Sequence, residues 1–254
     1  MNLISLNIWG GRVHEPLLDF LNKQKETTDI FCFQEVYKTD FDRLKDGEVY
    51  INSYQDLIDA LPNHIGYFLA TEDMWAESGP TDYPLEYGLA IFIKKDIEII
   101  KCQNDFVHKY WKAERSEIGY SAARAVQYLN FIFNDKNYTV FNFHGLHNGL
   151  GKGDCEERLI QANNIRSILD KAEGKKIICG DFNMLPDTES IKIIEGDMRN
   201  LIKENNITST RSSFYKKELR FADYMIVDKE IEVKAFQVLE DEVSDHLPLY
   251  LEFE

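Results

Sequence analysis

The apolar residues fall in short runs, and several of these runs end on a polar side chain. Residues 2–9 alternate like a buried strand, broken by Gly10-Gly11. Residues 14–25 have helical spacing, with Pro16 near the start and Leu17, Leu18 and Leu21 on one face. A second buried strand covers 29–35. Residues 40–61 read as mostly helical, closed by Pro62, and 67–71 as a strand before a polar, aromatic loop over 72–86. The segments 87–94 and 97–101 read as paired strands. The clearest hairpin joins 125–133 to 138–144, turning at Asn134-Asp135-Lys136-Asn137. A glycine-rich loop over 145–153 precedes a helix over 154–172, whose expected apolar face is Leu159, Ile160, Ile165, Ile168 and Leu169 and which Gly174 ends. A short buried strand at 176–180, a small helix at 188–195 and strands at 222–227, 231–239 and 247–253 complete the pattern.

Strands outnumber helices, and long helices fall only near the start and after residue 154. That distribution predicts an α/β fold of two packed sheets flanked by helices, in a single domain over 1–254. A chain of 254 residues, 44% apolar and 13% aromatic, is long enough to hold its own core without disulfides. No run approaches the length needed to cross a bilayer, and the first residues lack the basic region of a signal peptide. Cys32, Cys102, Cys155 and Cys179 form no CxxC pair or Cys/His cluster, so reduced thiols and a cytoplasmic location are expected. The chain carries 44 acidic and 29 basic residues, a net charge of −15. Such a field argues against a protein that coats duplex DNA nonspecifically. It leaves room for phosphate binding where acids cluster on a metal or bases line a groove.

The candidate chemistry sits at strand ends. Asn7 ends the first strand, Glu35 the second and His144 a middle one; Asp181 and Asn183 follow the run 177–180, and Asp245-His246 precede the last strand. Strand ends are where α/β folds gather ligands. A lone carboxylate there usually caps a turn; so many in one chain point to a site. Carboxylates with Asn are hard oxygen donors, the set that holds Mg²⁺ or Mn²⁺, and neighbouring His adds what phosphoester hydrolysis needs.

Ser5-Leu6-Asn7-Ile8, Phe33-Gln34-Glu35-Val36, His144, Gly180-Asp181-Phe182-Asn183 and Ser244-Asp245-His246-Leu247-Pro248 occur in one order. In that order the chain resembles the endonuclease/exonuclease/phosphatase superfamily over essentially its whole length. The resemblance implies a four-layer α/β/β/α sandwich of two mixed sheets and a Mg²⁺-dependent (or Mn²⁺-dependent) phosphoesterase. It implies that Glu35 is the principal metal ligand, with Asn7 and Asp245 close to the metal. By the same resemblance, Asp181 orients or deprotonates water, Asn183 donates to a phosphate oxygen and His246 contacts the scissile phosphate. His144 then serves as general acid or charge stabiliser. Asp223 fixes the tautomer of His246; its bland reading is a cap at a strand start.

Weaker candidates have a bland reading of similar or greater weight. Arg124 is a phosphate clamp or a solvated charge, and Tyr87 is more often core than catalytic. His147 reads as an exposed loop residue. The loop at Gly149, Gly151 and Gly153 around Lys152 offers backbone N–H groups to an anion or is simply flexible. Arg211, Lys216, Lys217 and Arg220 form a substrate-facing lip or a solvated loop. Trp75 and Tyr83 stack a base or fold into core. The leading function is a phosphodiesterase or nuclease for short or single-stranded nucleic acid or another small ester. The alternative is a phosphomonoesterase for a small phosphorylated metabolite or phosphoinositide-like substrate. A catalytically dead binding module is disfavoured by the presence of Glu35, Asp181 and His246. No membrane span is expected, and nothing in the chain identifies a protein partner.

Overall fold

The structure is a computed structural model that describes residues 1–111 and 123–254. Ser121 and Ala122, which lead into Arg124, lie outside the described residues. In chain order the first half contains β1 (Asn2–Asn7), a 3-10 turn (Trp9–Gly11), α1 (His14–Gln24), β2 (Ile30–Lys38), β3 (Lys45–Asp46) and β4 (Val49–Tyr50). It continues with α2 (Ser53–Ala60), β5 (His64–Asp73), β6 (Trp75–Ala76), β7 (Gly79–Pro80) and β8 (Glu86–Lys94). The second half contains β9 (Glu98–His108), β10 (Arg124–Phe133), β11 (Lys136–His144), α3 (Glu156–Lys171), β12 (Lys175–Asp181) and α4 (Glu189–Glu195). It ends with β13 (Arg199–Asn200), α5 (Leu201–Glu204), β14 (Asp223–Val227), β15 (Val233–Val238) and β16 (Leu249–Phe253).

Two six-stranded sheets carry the architecture. The first runs β15-β16-β1-β2-β8-β5 and the second β13-β14-β12-β11-β10-β9. Each is antiparallel except for one central pair, β1 with β2 and β11 with β12. One apolar cluster fills the space between the sheets and continues under α3 and α4; a second lies between the first sheet and α1 and α2. The layers are therefore α/β/β/α. Strand alternation decides which residues face inward. Leu3 belongs to the cluster between the sheets, while Ile4 and Leu6 belong to the one under α1, so Ser5 and Asn7 point inward with Leu3.

Polar groups tie the sheets together at their centre. Asn142, on β11, donates through Nδ2 to the carbonyls of Phe33 (2.9 Å) and Ala90 (3.1 Å) in the other sheet. Its Oδ1 accepts from Gln34 Nε2 at 2.7 Å. Two glycines let the chain close tightly just beyond. A Cβ on Gly180, whose φ is +134°, would lie 2.0 Å from Phe143 O, and one on Gly145 would lie 2.1 Å from Phe182 O. Only glycine fits there, and that closeness sets the ends of β11 and β12 side by side.

Several elements differ from expectation. Helix over 40–61 is confined to Ser53–Ala60, because the preceding stretch forms the β3–β4 hairpin, with Gly47 at φ +59° in its turn. Val49 and Ile51 pack with Ala76, Tyr83 and Leu85 in a small satellite core instead of forming a helical stripe. The loop 72–86 supplies the other half of that core, Ala76 from β6 and Tyr83 and Leu85 from the stretch after β7. The segments 87–94 and 97–101 are not paired: β8 is flanked on both edges by β2 and β5, and the chain then crosses to the other sheet, where β9 pairs with β10. The hairpin of β10 and β11 turns on Asn134 and Asp135 alone, both at positive φ, as a two-residue turn of this kind demands. The buried face of α3 is Arg158, Gln161, Ala162, Ile165 and Leu169, and Ile160 is exposed.

The tie between the sheets is testable. Replacing Asn142→Leu takes from Gln34 Nε2 its shortest acceptor, leaving Cys32 O and Ser5 Oγ, and removes a donor from two carbonyls in a dry interior, and should lower the stability by about 3 kcal/mol. Urea unfolding measures this; a midpoint equal to that of the parent would show that the sheets do not depend on the contact.

Candidate active site

The two parallel pairs bring the ends of β1, β11 and β12 to one edge of the sheet interface; Glu35, expected at the end of its strand, lies within β2, which runs on to Lys38. Asn7 ends β1 and, facing inward, donates through Nδ2 to Glu35 Oε1 (2.9 Å) and Asp181 Oδ2 (3.1 Å), while its Oδ1 accepts from the Trp9 N–H. Glu35 arrives by a different device. Gln34 faces inward, so plain alternation would aim Glu35 at α1 and α2. Instead the register of β2 against β8 skips Glu35, whose φ is +58°. This bulge turns the carboxylate back toward Asn7 and Asp181. Left-handed backbone on a non-glycine residue costs about 1 kcal/mol or more and collects at functional sites. Asn183, at φ +55°, shows the same feature, and its N–H donates to Asp181 Oδ1 at 2.9 Å.

Burial makes these carboxylates unequal. Asp181 is 2% exposed. Desolvation opposes its charge, but His246, His144, Arg211 and Lys152 outweigh it and hold the carboxyl well below the usual range. Glu35 is pushed up, first by burial and then by the charges of Asp245 and Asp181, against the pull of the Asn7 hydrogen bond and of His246. Asp245 gives Oδ2 to Arg211 Nη1 at 2.6 Å, and its buried Oδ1 has no hydrogen-bond partner. A carboxylate with too little positive charge around it, beside another with an unspent oxygen, is a donor set that suits a hard divalent cation. Glu35, His144 and Asp181 also lie close enough together to share an ion.

His246 is bracketed by ionisable groups. Its Nδ1 meets Asp223 Oδ1 at 2.7 Å, and Asp223 Oδ2 accepts from the Thr210 hydroxyl at 2.7 Å. Nε2 lies 3.5 Å from Asp181 Oδ2 and contacts Arg211 Nη1 at 2.5 Å. Burial works against the imidazolium, but Asp223 leads a set of carboxylates that raise its pKa despite Arg211. Arg211 can only donate, so its contact engages Nε2 as an acceptor and the Nδ1–H points to Asp223. His144 lies 3.9 Å from Glu35 Oε1 and 3.8 Å from Asp181 Oδ2. Burial, then the cation of Arg124, lowers its pKa to about 3. The imidazole is thus neutral near pH 7.

These side chains line a cavity of about 510 Å³. Glu35, Arg124, His144, Asp181, Asn183, Asp245 and His246 face it, while Asn7 and Asp223 stand directly behind. Of the weaker candidates, Arg124 is buried, not solvated, and its Nε donates to Gly145 O. His147 lines the cavity instead of lying exposed. Tyr87 and Trp75 also line it, whereas Tyr83 is core, its hydroxyl on Asp46. The glycine loop turns carbonyls inward: Gly151 and Gly153 accept from the buried Arg158 guanidinium. Of the basic stretch, Arg211 and Lys217 reach the cavity; Lys216 bonds Ser213 O, and Arg220 holds the carbonyls of Arg211 and Ser212. Arg211 as a direct partner of Asp245 and His246, Lys152 as a buried lysine in the cavity, and Glu72 on its wall are additions that the sequence pattern did not single out.

No curated protein matches the chain. Among solved structures, a mannosyl-6-phosphatase from Bacteroides thetaiotaomicron is similar with a TM-score of 0.75 at 17% identity, over 100% of this chain and 99% of that one. An endonuclease/exonuclease/phosphatase family protein from Leptotrichia buccalis gives 0.74 at 16%, covering 100% and 99%. The human Nocturnin catalytic domain with bound sulfate gives 0.67 at 17%, covering 100% and 94%. At these identities the likeness is one of fold. The family model, by contrast, aligns from β1 to His246, across every strand end that builds the cavity. With residues 4–246 matching the Endonuclease/Exonuclease/phosphatase family, the chain belongs to that family and is a metal-dependent phosphoesterase.

Proposed function

We propose that this protein is a Mg²⁺-dependent hydrolase of small phosphate esters and not of long duplex nucleic acid. The observation that carries the reading is the bounded cavity. Its mouth is walled on the first-sheet side by Trp9, Trp75, Glu72 and Glu77, and that wall is closed by Arg12 bonded to Glu48 and Glu77. A long duplex needs an open basic track, and this chain carries a net charge of −15. The mannosyl-6-phosphatase among the structural relatives is a precedent for this fold acting on a small ester. A cytoplasmic setting belongs to the same reading, supported by four free cysteines.

In this reading Glu35 and Asp245 hold the cation, with Asn7 and Asp181 beside them. When bound, the cation neutralises phosphate oxygens and stabilises the leaving oxygen. Asp181 is too acidic to be a strong base and serves chiefly to orient water as an acceptor. Asn183 and Arg124 donate to the phosphate. His246, held by Asp223 and with its pKa raised, stabilises charge on it as the imidazolium, whose Nε2 then carries a proton. His144, kept neutral, acts as a hydrogen-bond donor more than as a proton source.

Three outcomes follow. Hydrolysis should vanish in excess EDTA and return with Mg²⁺ or Mn²⁺ but poorly with Zn²⁺, because the proposed ligands are all oxygens; undiminished turnover in EDTA overturns the metal role. His246→Ala should lower kcat by about 10³-fold or more and Asp223→Asn by about 10–100-fold, with little change in Tm. An Asp223→Asn enzyme as active as the parent would separate the two residues functionally. Nicking of plasmid DNA should be slow and salt-sensitive beside turnover of small esters, and fast, salt-tolerant nicking would make a general endonuclease the better description.

A further inference from the structure

The charge around the cavity is arranged unlike the charge of the protein. Among the described residues, its lining includes five acidic side chains, Glu35, Glu72, Glu77, Asp181 and Asp245, and five basic ones, Arg12, Arg124, Lys152, Arg211 and Lys217. A pocket of zero net charge in a chain of −15 is a local concentration of cations. Arg12 is committed to Glu48 and Glu77 on the first-sheet wall. The other four basic residues come from strands and loops of the second sheet.

Three of these four form one patch with charge to spare. Lys152 and Arg211 both lie against the ring of Tyr215, at 5.5 and 4.3 Å from its centroid, so one aromatic ring fixes both cations. Lys152, 7% exposed, makes one hydrogen bond among the described residues, to Phe221 O at 2.6 Å, which leaves two donors. Arg211 is 5% exposed; its Nη1 is shared by Asp245 and His246, and its Nε has no hydrogen-bond partner among the described residues. Lys217, on the same loop, is exposed and makes no hydrogen bond or ion pair among the described residues. A divalent cation at Glu35 and Asp245 would leave the lining at a net charge of +2. A terminal phosphate, close to −2 at neutral pH, matches that balance. A diester carries one charge fewer and would press a second substituent against the cations.

Resting on the phosphoesterase reading above, we propose that Lys152, Arg211 and Lys217 select a terminal, doubly charged phosphate, so that the substrates are phosphomonoesters rather than diesters. Hydrolysis then breaks one P–O bond with water, releasing an alcohol and inorganic phosphate.

The test uses the full chain with Mg²⁺, comparing p-nitrophenyl phosphate with bis-p-nitrophenyl phosphate, and calorimetric binding of inorganic phosphate with that of dimethyl phosphate. The parent should favour the monoester by about tenfold or more in kcat/KM, and phosphate should bind more tightly than dimethyl phosphate. Lys217→Ala, at an exposed position, should lower monoester kcat/KM about fivefold, mainly through KM, and diester kcat/KM less than about twofold. Lys152→Met, checked for folding by circular dichroism, should shift both comparisons the same way. A parent that prefers the diester, equal binding of the two anions, or equal losses on both esters in Lys217→Ala overturns the inference. If neither ester is hydrolysed with Mg²⁺ present, the phosphoesterase reading itself fails and takes this inference with it.

Discussion

Burying like charges together is the constraint around which this molecule is arranged. Glu35, Asp181 and Asp245 face one cavity, and each ion taken out of water costs several kcal/mol unless it is matched. The neighbours can be read as the matching. Asn7 puts one amide between Glu35 and Asp181, the Asn183 N–H meets Asp181, and His246 and Arg211 add positive charge. Compensation stops short at Glu35, whose pKa stays raised, and at Oδ1 of Asp245, which among the described residues accepts no hydrogen bond and has His246 Nε2 only at 3.7 Å. Those two places are where a dication does most good.

The matching works only because the backbone brings distant strands within hydrogen-bond reach. Asn7 and Asp181 are 174 residues apart, yet their side chains lie 3.1 Å apart. Two central parallel pairs end at the same edge, glycines at 145 and 180 let those ends touch, and the Gln34–Asn142 tie holds one sheet against the other. Thus Gln34, next to a site residue, is structural, and its neighbour Glu35 is functional because of a bulge between them.

Much of this was legible. Most site motifs are an apolar run followed by a polar residue, so the strand and its ending are both written locally at Leu6-Asn7 and Cys179-Gly180-Asp181. At Phe33-Gln34-Glu35 the same pattern misplaces the end, because the strand continues through the bulge to Lys38. Asp223 was legible as the partner of His246 only through the family resemblance, and the 2.7 Å contact fits that pairing. What local pattern does not carry is long-range pairing. Arg211 sits in a basic loop whose charges have no periodicity, and its partners are 34 and 35 residues away. Arg158 reads as the polar face of a helix but is buried among carbonyls of the glycine loop. The strands 87–94 and 97–101 are neighbours in sequence, yet β8 already has two partners in the first sheet, leaving β9 to the second.

The bulge in β2 also fixes how this strand can change over evolutionary time. Gln34 faces the second sheet, whereas Val36, two residues on, packs with α1 and α2, so the parity of the strand reverses at Glu35. Loss of that one residue would restore even alternation and leave Val36, Tyr37 and Lys38 on their present faces, opposite the same partners of β8. The sheet would survive and the carboxylate would be gone. Straightening the bulge with the residue kept would instead turn Val36 inward and invert the segment leading into the β3–β4 hairpin. The extra residue therefore serves the site and not the sheet, and the position of its carboxylate is locked by the frame of the sequence as firmly as by its chemistry.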